Sequence, residues 1–149
     1  MRGVVLCLLF LPMPSMAVCT LATTNFSFGV YAPASALPLD ASSNIAVSCD
    51  GVAGQVVSYT LAINSGGSGS FVSRQMRYAA YSISYNLYLD AARTMVWGDG
   101  NTGTNFLTGS YAATAGMNVR NYPLYGRISA GQAVPAGNYS DALVSTLTY

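Results

Sequence analysis

No histidine, lysine or glutamate occurs in the 149 residues. Charged residues make up only 7% of the chain, and all of them are arginine or aspartate. These gaps exclude a good deal of chemistry. With no imidazole and no side-chain amine there is no histidine base, no Schiff-base lysine, and no Ser-His-Asp or Cys-His arrangement. The aspartates (Asp40, Asp50, Asp90, Asp99, Asp141) stand singly near strand ends and turns, where aspartate is usually a turn former; Asp90 and Asp99 come nearest to a carboxylate pair. The chain therefore reads as a non-enzyme. Zinc lacks ligands. The loop Asp99-Gly100-Asn101-Thr102-Gly103 lacks the second carboxylate and closing glutamate of a calcium site, so no cofactor is expected. The arginines are too few and too scattered to attract nucleic acid or an anionic membrane. So little charge also does little to keep a single copy soluble, which suits a protein that assembles.

What is present begins with an export signal. Met1-Arg2-Gly3 precedes an apolar run from Val4 to Leu11, and Ser15-Met16-Ala17 supplies the small-x-small end of a secretory signal peptide. Cleavage is expected between Ala17 and Val18, leaving one domain over 18–149. The run is too short to anchor the chain across a bilayer. Cys7 leaves with the signal, and Cys19 and Cys49 remain. Two cysteines in an exported chain most simply pair, and closing a loop of about 30 residues contributes roughly 3–4 kcal/mol. A free reactive thiol would need a positive or metal-bearing neighbourhood that the local sequence does not offer.

The exported part has the period of strands. Cys19 and Leu21 sit on one parity and Phe26 and Phe28 on the other, a shift that needs a bulge or a change of sheet. Pro33 and Pro38 mark the loop from Tyr31 to Asp40. Beyond it Ile45, Val47 and Cys49 share one face. Val57, Tyr59, Leu61 and Ile63 form the cleanest alternation, followed by Ile83, Tyr85, Leu87 and Leu89. The stretch Ser65-Gly66-Gly67-Ser68-Gly69-Ser70 reads as a long mobile loop, Trp97 to Thr104 as a turn-rich loop, and Gly116 to Ile128 as a less regular strand broken by Pro123. No window carries helical spacing, so the expectation is an all-β sandwich. The last stretch, Ser140 to Tyr149, reads as a strand burying Leu143, Ser145, Leu147 and Tyr149.

The 11 tyrosines and single Trp97 invite a sugar-stacking reading. Tyr59 and Tyr85 fall on apolar parities and belong to the core. Tyr31, Tyr78, Tyr81 and Tyr88 are candidates for exposure. Arg74 and Arg77 read as solvated strand-end charges. Asn25-Phe26-Ser27 and Asn138-Tyr139-Ser140 fit the glycosylation pattern, which matters only in a eukaryotic secretory route.

An ordered set of short motifs completes the reading. Cys19 is followed by Phe28-Gly29, Ile45-Ala46-Val47-Ser48-Cys49, Arg74-Gln75-Met76, Tyr85-Asn86-Leu87-Tyr88-Leu89-Asp90, Val96-Trp97-Gly98-Asp99-Gly100, Tyr125-Gly126-Arg127-Ile128 and Gly137-Asn138-Tyr139-Ser140-Asp141. The set spans 18–149 and resembles the spore coat U domain, the subunit fold of archaic chaperone–usher pili. That resemblance implies an incomplete immunoglobulin-like β-sandwich lacking its final strand. It also implies a periplasmic chaperone, an outer-membrane usher and neighbouring pilus subunits as partners, with a cell-surface fibre as destination and a host or abiotic surface as a further contact. The missing strand would come from the chaperone and then from a neighbouring subunit. Cleavage after Ala17 leaves only Val18 ahead of Cys19, so the chain is expected to accept a strand without giving one, as a tip or minor subunit. Leu143, Ser145, Leu147 and Tyr149 are expected to form one wall of the acceptor groove, with small Ser145 leaving room for a partner side chain. Two other readings share the composition: a secreted glycan-binding module, and a coat protein assembled without an usher.

Overall fold

The computed structural model describes residues 17–149, so the expected signal, apart from Ala17, lies outside the described residues. Eight strands follow one another: β1 Cys19–Thr23, β2 Leu39–Gly51, β3 Val56–Ile63, β4 Arg74–Tyr78, β5 Tyr81–Tyr88, β6 Leu107–Ala112, β7 Gly116–Ile128 and β8 Ser145–Thr148. They form a five-stranded sheet in the order β1-β2-β7-β5-β4 and a three-stranded sheet in the order β6-β3-β8, with every strand pair antiparallel. The two sheets face each other as an incomplete immunoglobulin-like sandwich.

The period of two in the sequence produces the core. Ile45 and Val47 of β2, Tyr59 and Leu61 of β3, Ile83 and Leu87 of β5, and Leu124 and Ile128 of β7 all turn inward and are buried. Full burial of each aliphatic side chain contributes about 1.5–3 kcal/mol, so the alternation itself selects which face of each strand is inside. Cys19 lies directly opposite Cys49 in the β1–β2 ladder, and the two form a disulfide. The bond pins the start of a five-residue edge strand to a central one. Replacing both cysteines by serine is expected to lower the unfolding stability of the protein with its missing strand supplied by about 3 kcal/mol, read from the urea midpoint with and without reductant.

Several expectations are corrected. Strand β7 is continuous for 13 residues despite Pro123, which pairs with Asn44. Only Tyr125 to Ile128 of β7 also pair with β5, so Pro123 sits where the strand has a partner on one side alone, the setting in which a missing N–H is tolerated. Strand β6 escaped the hydrophobic pattern because its central inward position is Gly109. A Cβ there would run into the Tyr59 ring. The Ser65–Ser70 stretch is not a mobile loop. It closes a 3-10 turn at Gly66–Ser68, with the Gly67 N–H donating to Asp141 Oδ1 at 2.9 Å. Gly66 is required there, since its φ is +70° and a Cβ would collide with the Asp141 carboxylate.

Arg74 is the largest departure. It is 0% exposed rather than solvated, and it opens β4, a strand the hydrophobic pattern does not show. Its guanidinium donates to Asn64 O at 2.9 and 3.1 Å, to Trp97 O at 2.6 Å and to Asn86 Oδ1 at 2.6 Å. A fork of five N–H donors is the side chain that can serve several carbonyls at once. Burial pulls its pKa down from the ordinary arginine value. Arg77, three positions on, is exposed as expected.

Candidate strand-acceptor groove

Each sheet has two edge strands, β1 and β4 in the larger and β6 and β8 in the smaller. Among the described residues β1 pairs only with β2, and β8 pairs only with β3, so both leave a row of backbone N–H and C=O groups without a strand partner. The two strands approach each other across one opening of the sandwich. The opening continues past both strands. On one bank the chain runs from Thr23 to Pro33, and on the other from Ser145 back to Val134, so the banks are antiparallel. Between them lie two adjoining cavities of about 590 and 420 Å³.

The floor is the inner face of the five-stranded sheet. Ile83 and Ile128 lie under the larger cavity, and Leu87 and Leu124 under the smaller one, where Ile45 and Ile63 also reach it. Phe26, Phe28, Met76 and Tyr139 border both. An apolar channel opening beside the ends of two edge strands is a geometry that an added strand can fill, with main-chain bonds at its edges and alternate side chains in the channel.

The second bank is fastened at a few points. Arg77 and Ser140 exchange backbone bonds of 2.8 and 3.1 Å, and Asn64 N–H donates to Val144 O at 3.0 Å. Asp141 ties the bank to the floor, accepting from the Tyr85 hydroxyl at 2.8 Å and from the Gly67 N–H. Burial, and then the Asp141 carboxylate, push the Tyr85 phenol well above its usual range.

Of the residues expected to form the acceptor wall, Leu143 and Ser145 line the smaller cavity. Leu147 packs, half-buried, against the core farther along β8 and outside the cavity lining. Tyr149 lies beyond the end of β8 and is 55% exposed. The expected strand from Ser140 is shorter, beginning at Ser145, with Ser140 held by the Arg77 bridge alone. The opposite bank was missed, although its signal was the parity shift after Thr23. The shift marks the end of β1 rather than a bulge. From there Phe26 and Phe28 pack over the sheet without pairing into it. Val18 precedes β1, and its carbonyl accepts from Asp50 N–H at 2.8 Å.

Aromatic placement removes Trp97 from any sugar platform. It is 0% exposed, with Nε1–H donating to Leu61 O at 3.0 Å. Tyr59 and Tyr85 are core, Tyr78 and Tyr81 are exposed, and Tyr31 and Tyr88 are half-buried. In the Asp99 loop, Asp99 accepts from Asn101 N–H at 2.9 Å, and among the described residues no cluster of three metal-type ligands occurs.

Titration follows from these contacts. The Arg127 hydrogen bond holds Asp40 below the usual carboxylate range, reinforced by the charges of Arg127 and Arg93 and opposed by desolvation. Backbone N–H donors, from Met95 to Asp90 and from Asn101 to Asp99, do the same for those carboxyls. Such depressed groups stabilise the fold above the unfolded value of about 4, and that contribution is lost as pH falls through the folded values. Burial, then the Tyr122 hydroxyl, raises Tyr59, as burial and Asp141 raise Tyr85. Phenols raised in this way contribute fully below about 10, and the contribution is lost above it, where the unfolded chain ionises first. With no histidine between these limits, the urea midpoint of the strand-complemented protein is expected to stay level from about pH 5 to 9 and fall on both sides. A transition near pH 6–7 would contradict it.

The family model for the Spore Coat Protein U domain matches residues 8–146, almost the whole chain. The chain belongs to the Spore Coat Protein U domain family. It is 32% identical over 135 residues to Protein U of Myxococcus xanthus, a match covering 84% of this chain and 72% of that protein. Among solved structures, the domain is similar to a chain of the CsuC–CsuE chaperone–tip adhesion subunit pre-assembly complex from the archaic chaperone–usher Csu pili of Acinetobacter baumannii. The TM-score is 0.60 at 17% identity, over 90% of this chain. The domain spans 40% of the length of that chain. The shared feature at this identity is the sandwich fold.

Proposed function

We propose that this protein is a structural subunit of a surface fibre assembled by donor-strand complementation, and that it takes its missing strand into the groove between the Thr23–Pro33 and Val134–Ser145 banks. One observation carries the reading: an apolar channel lies open over the inner face of the five-stranded sheet, between a bank that leaves edge strand β1 at Thr23 and a bank that enters edge strand β8 at Ser145. Partners follow from that need. A periplasmic chaperone supplies the strand first, an outer-membrane usher catalyses the exchange, and a neighbouring subunit supplies it in the fibre. Membership of the Spore Coat Protein U family and the likeness to a chain of a chaperone–subunit complex support this order. The destination is the cell surface, where the fibre meets a host or abiotic surface, and the work is mechanical rather than catalytic.

Periplasmic expression tests it. With an archaic pilus chaperone co-expressed, the chain is expected as a one-to-one complex; without it, as aggregate or degradation products. Recovery of a stable, cooperatively folding monomer in both cases would overturn the proposal. The place in the fibre rests on processing between Ala17 and Val18, which leaves no donor segment ahead of the disulfide-tied Cys19 and makes the subunit an acceptor at a tip or in a minor position. Amino-terminal sequencing of the fibre-incorporated protein reads this directly. A start at Val18 supports it, and a start well upstream restores a donor segment and removes the tip assignment.

A further inference from the structure

The exported chain is closed to the two commoner covalent ties between elements. With no lysine there is no side-chain amide link, and Cys19 and Cys49 are already joined to each other. Tyrosine remains, in 11 copies. Among the described residues tyrosine rings meet in two places. In the interior, Tyr59 stands edge-on to Tyr111 and Tyr122 with ring centroids 6.4 and 6.3 Å apart, but Tyr59 is only 3% exposed and out of reach of an oxidising enzyme. At the end of the β4–β5 hairpin, Tyr78 and Tyr139 meet at 5.7 Å, within the contact range of an aromatic pair, and Tyr78 is 42% exposed.

The surroundings hold this second pair in place. Arg77 and Ser140, each next in the chain to one of the two tyrosines, exchange backbone bonds that fix the segments side by side. The Tyr78 ring lies against the Gly137 backbone, where a Cβ would collide with it. The Tyr139 hydroxyl donates to Pro135 O at 3.0 Å, which orients the other ring. Tyr81 lies opposite Tyr78 in the ladder and is exposed. Burial, then the neighbouring Tyr81 and Tyr78 phenols, push Tyr139 above its usual range, which puts all three phenols in one cluster.

We propose that Tyr78 and Tyr139 are a cross-linking site, where a peroxidase using peroxide as oxidant couples the two rings into a dityrosine and ties the Val134–Ser145 bank covalently to the β4–β5 hairpin. Each phenol gives one electron to the peroxidase and one proton to a peroxide oxygen. The two phenoxyl radicals then join carbon to carbon, ortho to their hydroxyls, and the two ortho hydrogens move to the phenoxyl oxygens. Two tyrosines and one hydrogen peroxide thus give one dityrosine and two waters. The new bond is a carbon–carbon bond, so reductants that open a disulfide leave it intact. It makes permanent a fastening that otherwise rests on ring contact and the Arg77–Ser140 hydrogen bonds.

The test treats the full exported chain, its disulfide intact and its missing strand supplied as a free peptide without tyrosine, with a haem peroxidase and hydrogen peroxide. The product is cut at arginine and mapped by mass spectrometry. A monomeric product is expected in which 78–93 is joined to 128–149 with loss of two hydrogens, and fragmentation places the bond between Tyr78 and Tyr139. Tyr78→Phe and Tyr139→Phe keep the ring contact and are each expected to abolish that bond, whereas Tyr81→Phe leaves its yield within about twofold. Oxidation is also expected to slow hydrogen exchange at the Arg77 and Ser140 amides by at least about tenfold. The wild-type map stands without any variant. No dityrosine, or one formed through Tyr81 or between two chains in place of the Tyr78–Tyr139 bond, would overturn the site. Unchanged amide exchange in the cross-linked product would overturn the fastening. Neither result bears on which strand fills the groove, so the strand-acceptor reading stands or falls separately.

Discussion

Arg74→Met is expected to destabilise the strand-complemented protein by about 4 kcal/mol, measured as the shift in urea unfolding free energy. The substitution keeps most of the apolar stem, so the loss isolates the guanidinium. It leaves Asn64 O, Trp97 O and Asn86 Oδ1 without the donor that serves them. Each buried acceptor so orphaned costs about 1–3 kcal/mol. A domain of this size has only about 5–15 kcal/mol in all, so the change removes much of its stability. Arg74→Lys is expected to rescue little, because an ammonium presents its donors from one point and cannot span three acceptors in a plane. The neighbouring Arg77→Met, on an exposed side chain, should stay within about 0.5 kcal/mol. Equal effects at the two arginines would show that the buried network contributes nothing specific.

Ser145→Trp is expected to weaken donor-strand binding by about 100-fold or more and to abolish incorporation into fibres, while export and the disulfide remain as in the wild type. Ser145 borders the 420 Å³ cavity from the β8 side, directly across from the Thr23–Phe28 bank. An indole there occupies the space a partner's side chain needs, so a donor strand is excluded while the strands on either side keep their pairing. Tyr149→Ala, beyond the strand and exposed, should leave binding within about twofold. Unimpaired incorporation of the tryptophan variant would place the groove elsewhere.

Strands whose inward residues are large and apolar were legible in the sequence, because one buried face imposes a period of two: Ile45 to Cys49, Val57 to Ile63 and Ile83 to Leu87 show it without help from tertiary context. Strands β4 and β6 were not, and for opposite reasons. Arg74 puts a charge where the pattern demands an apolar residue, and its burial makes sense only with acceptors that come from Asn64, Asn86 and Trp97, ten or more positions away. Gly109 puts nothing where the pattern demands bulk, because Tyr59 reaches across from the neighbouring strand to fill the place. Half the groove was legible for the same reason as the good strands: Leu143 and Ser145 share a parity with the buried residues. The other half consists of Phe26 and Phe28, whose role depends on Gly126, a hundred residues farther on. No local pattern connects them.

The central claim is that the sandwich lacks a strand and is completed by another chain. It is tested most directly by comparing the exported chain alone with the same chain carrying one donor strand on a flexible linker after Tyr149, both followed by urea unfolding. Burying a few aliphatic side chains in the groove is worth several kcal/mol before ordering costs, and a tethered strand loses less entropy than a free one. The account predicts a sharp cooperative transition for the fused form and none for the chain alone. An untethered chain that unfolds as cooperatively, at the same midpoint as the fusion, would contradict it.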